Sequence, residues 1–256
     1  MAHLLIFGLG YTAQYIAERL RAAGWHIDAT GSAGNIDFDD GAAVASAMAQ
    51  ASHVLSSVPP ADDSDPVLDS YSKLLGGKWL GYLSSTGVYG DAGGAWVDES
   101  APIGKGRRTA RSDADQRWLD MGARVFRLPG IYGSGRSPLD RVRSGKAHRI
   151  DQPGQVFSRV HVEDIASGVV AGMDAPPGAY NLADDLPCSQ NDVVEEACRL
   201  LGVPPPPLQT MAEAGLSPMA RGFYAENRRV ANRKAKRVLG WQPRYPTFRE
   251  GLQSLL

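Results

Sequence analysis

Two short stretches of this 256-residue chain carry residues whose types and spacing could do chemistry. The first is Gly8-Leu9-Gly10-Tyr11-Thr12-Ala13, which follows the apolar run Leu4 to Phe7 and opens a helical pattern. Gly8 permits a tight turn, and Gly10 lets the backbone come close to a diphosphate. Ala13 is small enough for the helix and strand to pack closely. A helix N-terminus at this point offers free N–H groups and a positive dipole end to phosphates. In a strand–turn–helix context the pattern predicts a dinucleotide site, for NAD or NADP. The second stretch is Ser85 with Thr86 and Tyr89, at the end of the apolar run Trp79 to Ser84. A hydroxyl there could polarise a substrate oxygen. Equally, it could be a strand-end serine that bonds only to backbone or cofactor.

Other constellations are weaker. His161 and Asp164 have the look of a base and its orienter, but a helix-capping role for Asp164 and a local bond for His161 are the expectation. The five histidines are scattered without metal spacing, and no metal is expected. No Gly-x-Ser-x-Gly elbow is present for hydrolase chemistry. Cys188 and Cys198 are too few for a disulfide framework and fit a reducing, cytoplasmic setting. Cys198 falls in a helical pattern and reads as a small buried apolar side chain. A net charge of −1 gives no basic field for nucleic acid. The apolar start is too short for a signal-peptide core, and no run reaches the ~20 residues of a membrane helix.

The elements that must position these residues alternate. Strands are predicted at Leu4 to Phe7, His26 to Thr30, Asn35 to Phe38, Val54 to Val58, Trp79 to Ser84 and Arg124 to Leu128. Helices are predicted at Thr12 to Ala23, Asp40 to Ala51, Pro66 to Leu75 and 111–121. This is the pattern of an α/β fold, a Rossmann-type doubly wound parallel sheet. A small C-terminal lobe follows. Its helices are expected at Gln190 to Leu201, from Ser217-Pro218, at Asn232 to Leu239, and after a Thr247/Glu250 capping box. The dinucleotide domain is assigned to 1–160, completed by roughly 161–183, and the lobe to 184–256. Trp96, Trp118 and Trp241 are expected to pack in core or lobe.

With these pieces in order, the chain resembles the short-chain dehydrogenase/reductase superfamily, in an atypical branch of its extended NAD-dependent epimerase/dehydratase group. "LSSTGVYG", "FRLPGIYGSGR", "HVEDIASGV", "YNLADD" and the Leu-Gly-Trp-x-Pro of the C-terminal segment carry the resemblance over nearly the whole chain. It implies that Asp37 and Phe38 lie at the adenine, and that Ser57, Val58 and Pro59 lie beside its ribose. It also implies that Ser85 is the catalytic serine, with Tyr89 in its cluster, and that Pro129, Gly130 and Ile131 flank the nicotinamide.

The resemblance breaks at the proton relay. Its Tyr-x-x-x-Lys pair falls on Thr109-Ala110-Arg111-Ser112-Asp113. A threonine hydroxyl does not titrate near neutrality, and a carboxylate in place of the ammonium opposes deprotonation of a neighbour. No tyrosine in the chain has a lysine four residues on. The expected function is therefore an oxidoreductase or epimerase without that relay. The alternative is a non-catalytic dinucleotide-binding sensor or regulatory protein. A small-molecule partner is expected, either a nucleotide-sugar or another carbonyl or hydroxyl compound, and a homodimer is the candidate assembly. The second predicted strand ends Ala29-Thr30-Gly31-Ser32, with neither an acid nor an arginine to choose between NAD and NADP.

Overall fold

The computed structural model describes residues 2–61, 64–104 and 109–256, apart from the Met219 side chain. Its strands are β1 (His3–Phe7), β2 (His26–Ala29), β3 (His53–Ser56), β4 (Trp79–Ser85), β5 (Trp96–Val97) and β6 (Arg124–Leu128). These are followed by β7 (Gly130–Tyr132), β8 (Arg149–Ile150), β9 (Arg159–His161), β10 (Gly178–Asn181), β11 (Leu208–Gln209) and β12 (Arg229–Val230). The helices are α1 (Tyr11–Ala22), α2 (Gly41–Gln50), α3 (Pro66–Tyr71), α4 (Thr109–Asp120) and α5 (Pro138–Arg143). After them come α6 (Val162–Ala171), α7 (Gln190–Leu201), α8 (Pro218–Phe223), α9 (Arg233–Leu239) and α10 (Phe248–Gln253).

Six strands form one parallel sheet in the order β10-β6-β4-β3-β1-β2. Their apolar runs are buried on both faces, as a doubly wound sheet requires. One face packs Leu4, Ile6, Phe126 and Leu128 against α1 and α6, with Ile16, Leu20, Ile165 and Val169. The other packs Leu5, Phe7, Val54 and Tyr82 against α2, α3 and α4, with Val44, Leu68 and Trp118. A satellite core joins Leu139 of α5, Val193 and Ala197 of α7, and Phe248 and Leu252 of α10. Of three short parallel pairs, β5 with β12 and β8 with β11 tie loops to the C-terminal segments, and β7 with β9 joins the loop after β6 to the start of α6.

Several expectations need correction. Asn35 to Phe38 is not a strand: after the turn at Gly31 the chain folds back and makes a single bridge, Thr30 to Ile36. Apolar Ile36 and Phe38 drew a strand prediction, but both pack as partly buried side chains under the sheet. Trp118 and Trp241 are core residues, whereas Trp96 is 60% exposed. Asp164 does not cap its own helix. Its two oxygens accept the backbone N–H groups of Arg244 and Tyr245, at 2.6 and 3.0 Å, and so anchor the C-terminal segment to α6. His161 bonds locally as expected, its Nδ1 accepting from the Glu163 N–H.

Candidate active site

Because the sheet is parallel, Gly8, Ser57 and Pro129, directly after β1, β3 and β6, and Ser85, the last residue of β4, all come to its carboxyl end. The chain turns from β1 to β2 on one side and to β3 on the other, so Gly8 sits at the switch point where open sheets take their ligands. Gly8 has φ +83°, and a Cβ there would stand 3.0 Å from Val58 Cγ2. Its N–H donates to Thr30 Oγ1 at 3.1 Å, and the Leu9 N–H donates to Thr30 O at 2.7 Å. Thr30 thus fixes the turn from the neighbouring strand end. Gly10 differs, since a Cβ on it would meet nothing within 4 Å. Gly10 is the N-cap of α1 and supplies no side-chain bond. The first intrahelical acceptor is Gly10 O, taken by Gln14 N. The N–H groups of Tyr11, Thr12 and Ala13 are therefore left without a helical partner beside open space. Ala13 is fully buried, as close packing of helix on strand demands.

Next to the turn lies a cavity of about 400 Å³ lined by Gly31, Gly34, Asn35, Ile36, Asp37 and Phe38. This places Asp37 and Phe38 on the β2 side of the turn, and Ser57 and Val58 on its β3 side. Asp28, the one acid of β2, points elsewhere: it engages His3 and Asn35. On the opposite flank, the loop after β7 reaches the first turn of α1. Tyr11 Oη donates to Ser134 O at 2.9 Å, and the exposed Arg136 guanidinium lies 4.9 Å over the Tyr11 ring. Burial and the neighbouring Tyr15 push the Tyr11 phenol up to about 12. Gly130 is exposed, and Pro129 and Ile131 are partly buried beside β9.

Ser85 is half-buried, and its Oγ accepts the Gly87 N–H at 3.1 Å. Among the described residues no acceptor is found for its own proton. Tyr89 is engaged differently. It is buried, donates to Asn181 Oδ1 at 2.7 Å and accepts from Arg127 Nη1 at 3.0 Å. Burial pushes its phenol up to about 12, against the lowering by Arg127. Arg127 in turn pairs with Asp115 through two bonds of 2.7 and 3.1 Å, and Asp115 accepts from Ser84 Oγ at 2.6 Å. Both members of this pair are buried. Thr109 and Asp113, at the relay positions, start α4 on its exposed side, while Ser112, Asp115 and Trp118 form its buried side. Sequence reasoning missed this Ser84–Asp115–Arg127–Tyr89–Asn181 chain. An acid on α4 aligned with an arginine on β6 and an asparagine on β10 is a product of strand order, not of spacing.

A third group of polar atoms lies between the sheet and the C-terminal helix. Tyr132 Oη, His161 Nε2 and Asp184 Oδ2 are buried, and no partner is found for them among the described residues. The Tyr132 and His161 rings meet edge to face at 5.2 Å. Burial raises the Asp184 carboxyl to about 7, and it raises the Tyr132 phenol further above its ordinary value.

The sheet order and the glycine turn at its switch point together define a Rossmann-type, doubly wound α/β fold. No family model matches the chain. A solved structure of a functionally unknown conserved protein from Silicibacter pomeroyi is 40% identical, with TM-score 0.89, covering 100% of this chain and 98% of that one; the chain belongs to its family. The fold is shared with dTDP-glucose 4,6-dehydratase from Bacillus anthracis, solved with NAD. That protein is 18% identical with TM-score 0.78, and the match covers 100% of this chain and 95% of that one. It is also shared with human epimerase family protein SDR39U1, solved with NADPH, at 17% identity and TM-score 0.78, covering 99% and 98%. A curated relative, 3-diazoavenalumate denitrifying reductase from a Streptomyces species, is 30% identical over 145 residues. That match spans 52% of this chain and about half of the reductase, 47%. Among the described residues no helix is long and apolar enough to cross a membrane.

Proposed function

We propose that the chain binds NAD or NADP across the carboxyl end of the sheet and acts as an oxidoreductase on a small carbonyl or hydroxyl compound. The observation that carries this reading is the first turn of α1, without a side-chain cap and open at Gly10, with the cavity at Gly31 to Phe38 beside the same turn. In this reading the N–H groups of Tyr11 to Ala13 take the diphosphate, and Arg136 adds a cation at the mouth of the turn. Asp37, Phe38, Ser57, Val58 and Pro59 surround the adenosine, and Pro129, Gly130 and Ile131 border the nicotinamide. When bound there, the nicotinamide would supply or accept a hydride. Ser85 would donate a hydrogen bond to the substrate oxygen and polarise it, the proton itself coming from or going to solvent, and Tyr89 holds the Ser85 segment in place through Arg127 and Asn181. Residues 1–160 with 161–183 form the dinucleotide part, and 184–256 the substrate side. Nucleotide-sugars are within the substrate class, the setting is cytoplasmic, and a homodimer is the assembly to look for by light scattering. The nearby reductase relative supports reduction over epimerisation.

A ligand present at 100 times its dissociation constant stabilises the folded state by about 2.7 kcal/mol, roughly 2–4 °C for a chain of this size. A shift of this kind with NAD(H) or NADP(H), abolished by Gly10→Val, is the expected result. No shift with any of the four at millimolar concentration removes the proposal. Thr109 and Asp113 at the relay positions favour one second reading, a dinucleotide sensor. Binding without oxidation of bound NADH or NADPH by any carbonyl panel would select it.

A further inference from the structure

At the amino end of the same sheet, strand register assembles a second constellation. β1 and β2 run parallel with His3 opposite His26 and Leu5 opposite Asp28. Alternation along each strand then puts His3, His26 and Asp28 on one face. His3 Nε2 stands 2.9 Å from Asp28 Oδ2, and His26 Nε2 stands 3.5 Å from the same oxygen. The three donor atoms all lie within 4.8 Å of one another. Around a tetrahedral ion with bonds of about 2.0–2.1 Å, neighbouring donors stand roughly 3.3–3.4 Å apart. The two separations to Asp28 bracket that value.

The surroundings hold the donors in place. Asp28 Oδ1 accepts Asn35 Nδ2 at 2.7 Å, and Asn35 Oδ1 accepts the Ala29 N–H at 2.9 Å, so the carboxylate has an outer partner that fixes its plane. His3 is buried, whereas the His26 side chain is 59% exposed, which leaves an entry from solvent. We propose that His3, His26 and Asp28 form a binding site for a divalent transition-metal ion of the zinc class, with water completing the tetrahedron. Two imidazoles with a carboxylate suit zinc, cobalt or nickel, while magnesium and calcium call for oxygen donors throughout. The ion clips edge strand β2 to β1, at the opposite end of β1 from Gly8, and needs no dinucleotide.

The test uses the full chain, stripped with EDTA and titrated with Co²⁺. One equivalent should bring up the visible ligand-field bands of tetrahedral cobalt, and Zn²⁺ should displace it. Zn²⁺ at 100 times its dissociation constant should raise the melting midpoint by roughly 2–4 °C. His26→Ala and Asp28→Asn should each weaken binding at least tenfold, and the exposure of His26 makes its removal tolerable to the core. His148→Ala, whose imidazole bonds Gln209 on a different short strand pair, should bind like wild type. The proposal is overturned if no saturable single-site Co²⁺ binding is seen, or if both site variants bind like wild type. It is overturned too if Mg²⁺ raises the midpoint as much as Zn²⁺ does.

Discussion

The two halves of the carboxyl end of the sheet are built on opposite principles. Around α1, polar backbone groups are left open: Gly10 faces empty space, the first-turn N–H groups lack helical acceptors, and Arg136 rests on an aromatic ring. After β4, polar side chains are satisfied by one another, from Ser84 through Asp115 and Arg127 to Tyr89 and Asn181. Buried polar groups are costly when unpaired, so a satisfied network rigidifies and an open one invites a ligand. The contrast agrees with the proposal that the first half is the binding half, while the Tyr89 hydroxyl in the second half is held by its protein partners. Ser85, whose donor finds no acceptor among the described residues, is the exception in that half.

The largest effect should come from the closed network. Asp115→Asn leaves the Arg127 guanidinium buried without its counter-charge and should cost about 3–5 kcal/mol in urea unfolding. A loss under 1 kcal/mol would mean that the network is wetter than the structure shows, and the contrast would weaken. The relay positions give the next effect. Thr109→Tyr with Asp113→Lys should raise reductase turnover about 10²–10⁴-fold if a carbonyl pocket faces Ser85, the usual range for positioned acid–base groups. Ser85→Ala in that background should remove much of the gain. No gain with an intact fold by circular dichroism would turn the second half wholly structural.

Smaller effects sharpen the open half. Gly31 and Ser32 offer the ribose neither carboxylate nor guanidinium, so calorimetry should find NAD and NADP within about tenfold, or ~1.4 kcal/mol. A hundredfold preference would mean that a charged residue outside this turn reaches the 2′ position. The last test addresses Asp184, which belongs to neither pattern. Its carboxyl is raised from 3.8 to about 7 by burial, so the folded state holds the proton more tightly than the unfolded chain. Stability should therefore be greatest below about pH 4 as far as this group is concerned, and should fall as pH rises towards 7. Asp184→Asn should flatten that decline in chemical unfolding followed at pH 5 and pH 8. An unchanged slope would mean that water or a neighbour compensates the charge.

What the sequence made legible was local. The β1–turn–α1 unit, the serine cap with Pro218 on α8, and the Thr247/Glu250 capping box all follow from residues within one turn of each other, and the structure shows each of them. Five of the six parallel strands, β1, β2, β3, β4 and β6, were readable because continuous apolar runs with helices between them admit few other arrangements, whereas the run Asn35 to Phe38 was misread as a strand. What stayed hidden depends on pairing across the sheet. Asp115 and Arg127 look like ordinary surface charges until α4 lies on β6. His3, His26 and Asp28 have no spacing pattern until β2 is laid against β1 in register. The family resemblance supplied Ser85 as a site but could not say that Tyr89 would be tied to Asn181, 92 residues away.

The fold-back after β2 bears on association between molecules. β2 ends the sheet, and a free strand edge is a template for pairing with another chain. Here the Ala29 N–H is taken by the Asn35 side-chain oxygen, while Ala29 O accepts from the backbone N–H groups of Asn35 and Ile36. Gly34 makes the approach feasible, since a Cβ there would stand 2.2 Å from Ala29 O. One asparagine amide and two loop amides thus imitate the ladder of a missing neighbour. The stretch that sequence patterning presents as a third strand works as a stopper on the second at Ala29.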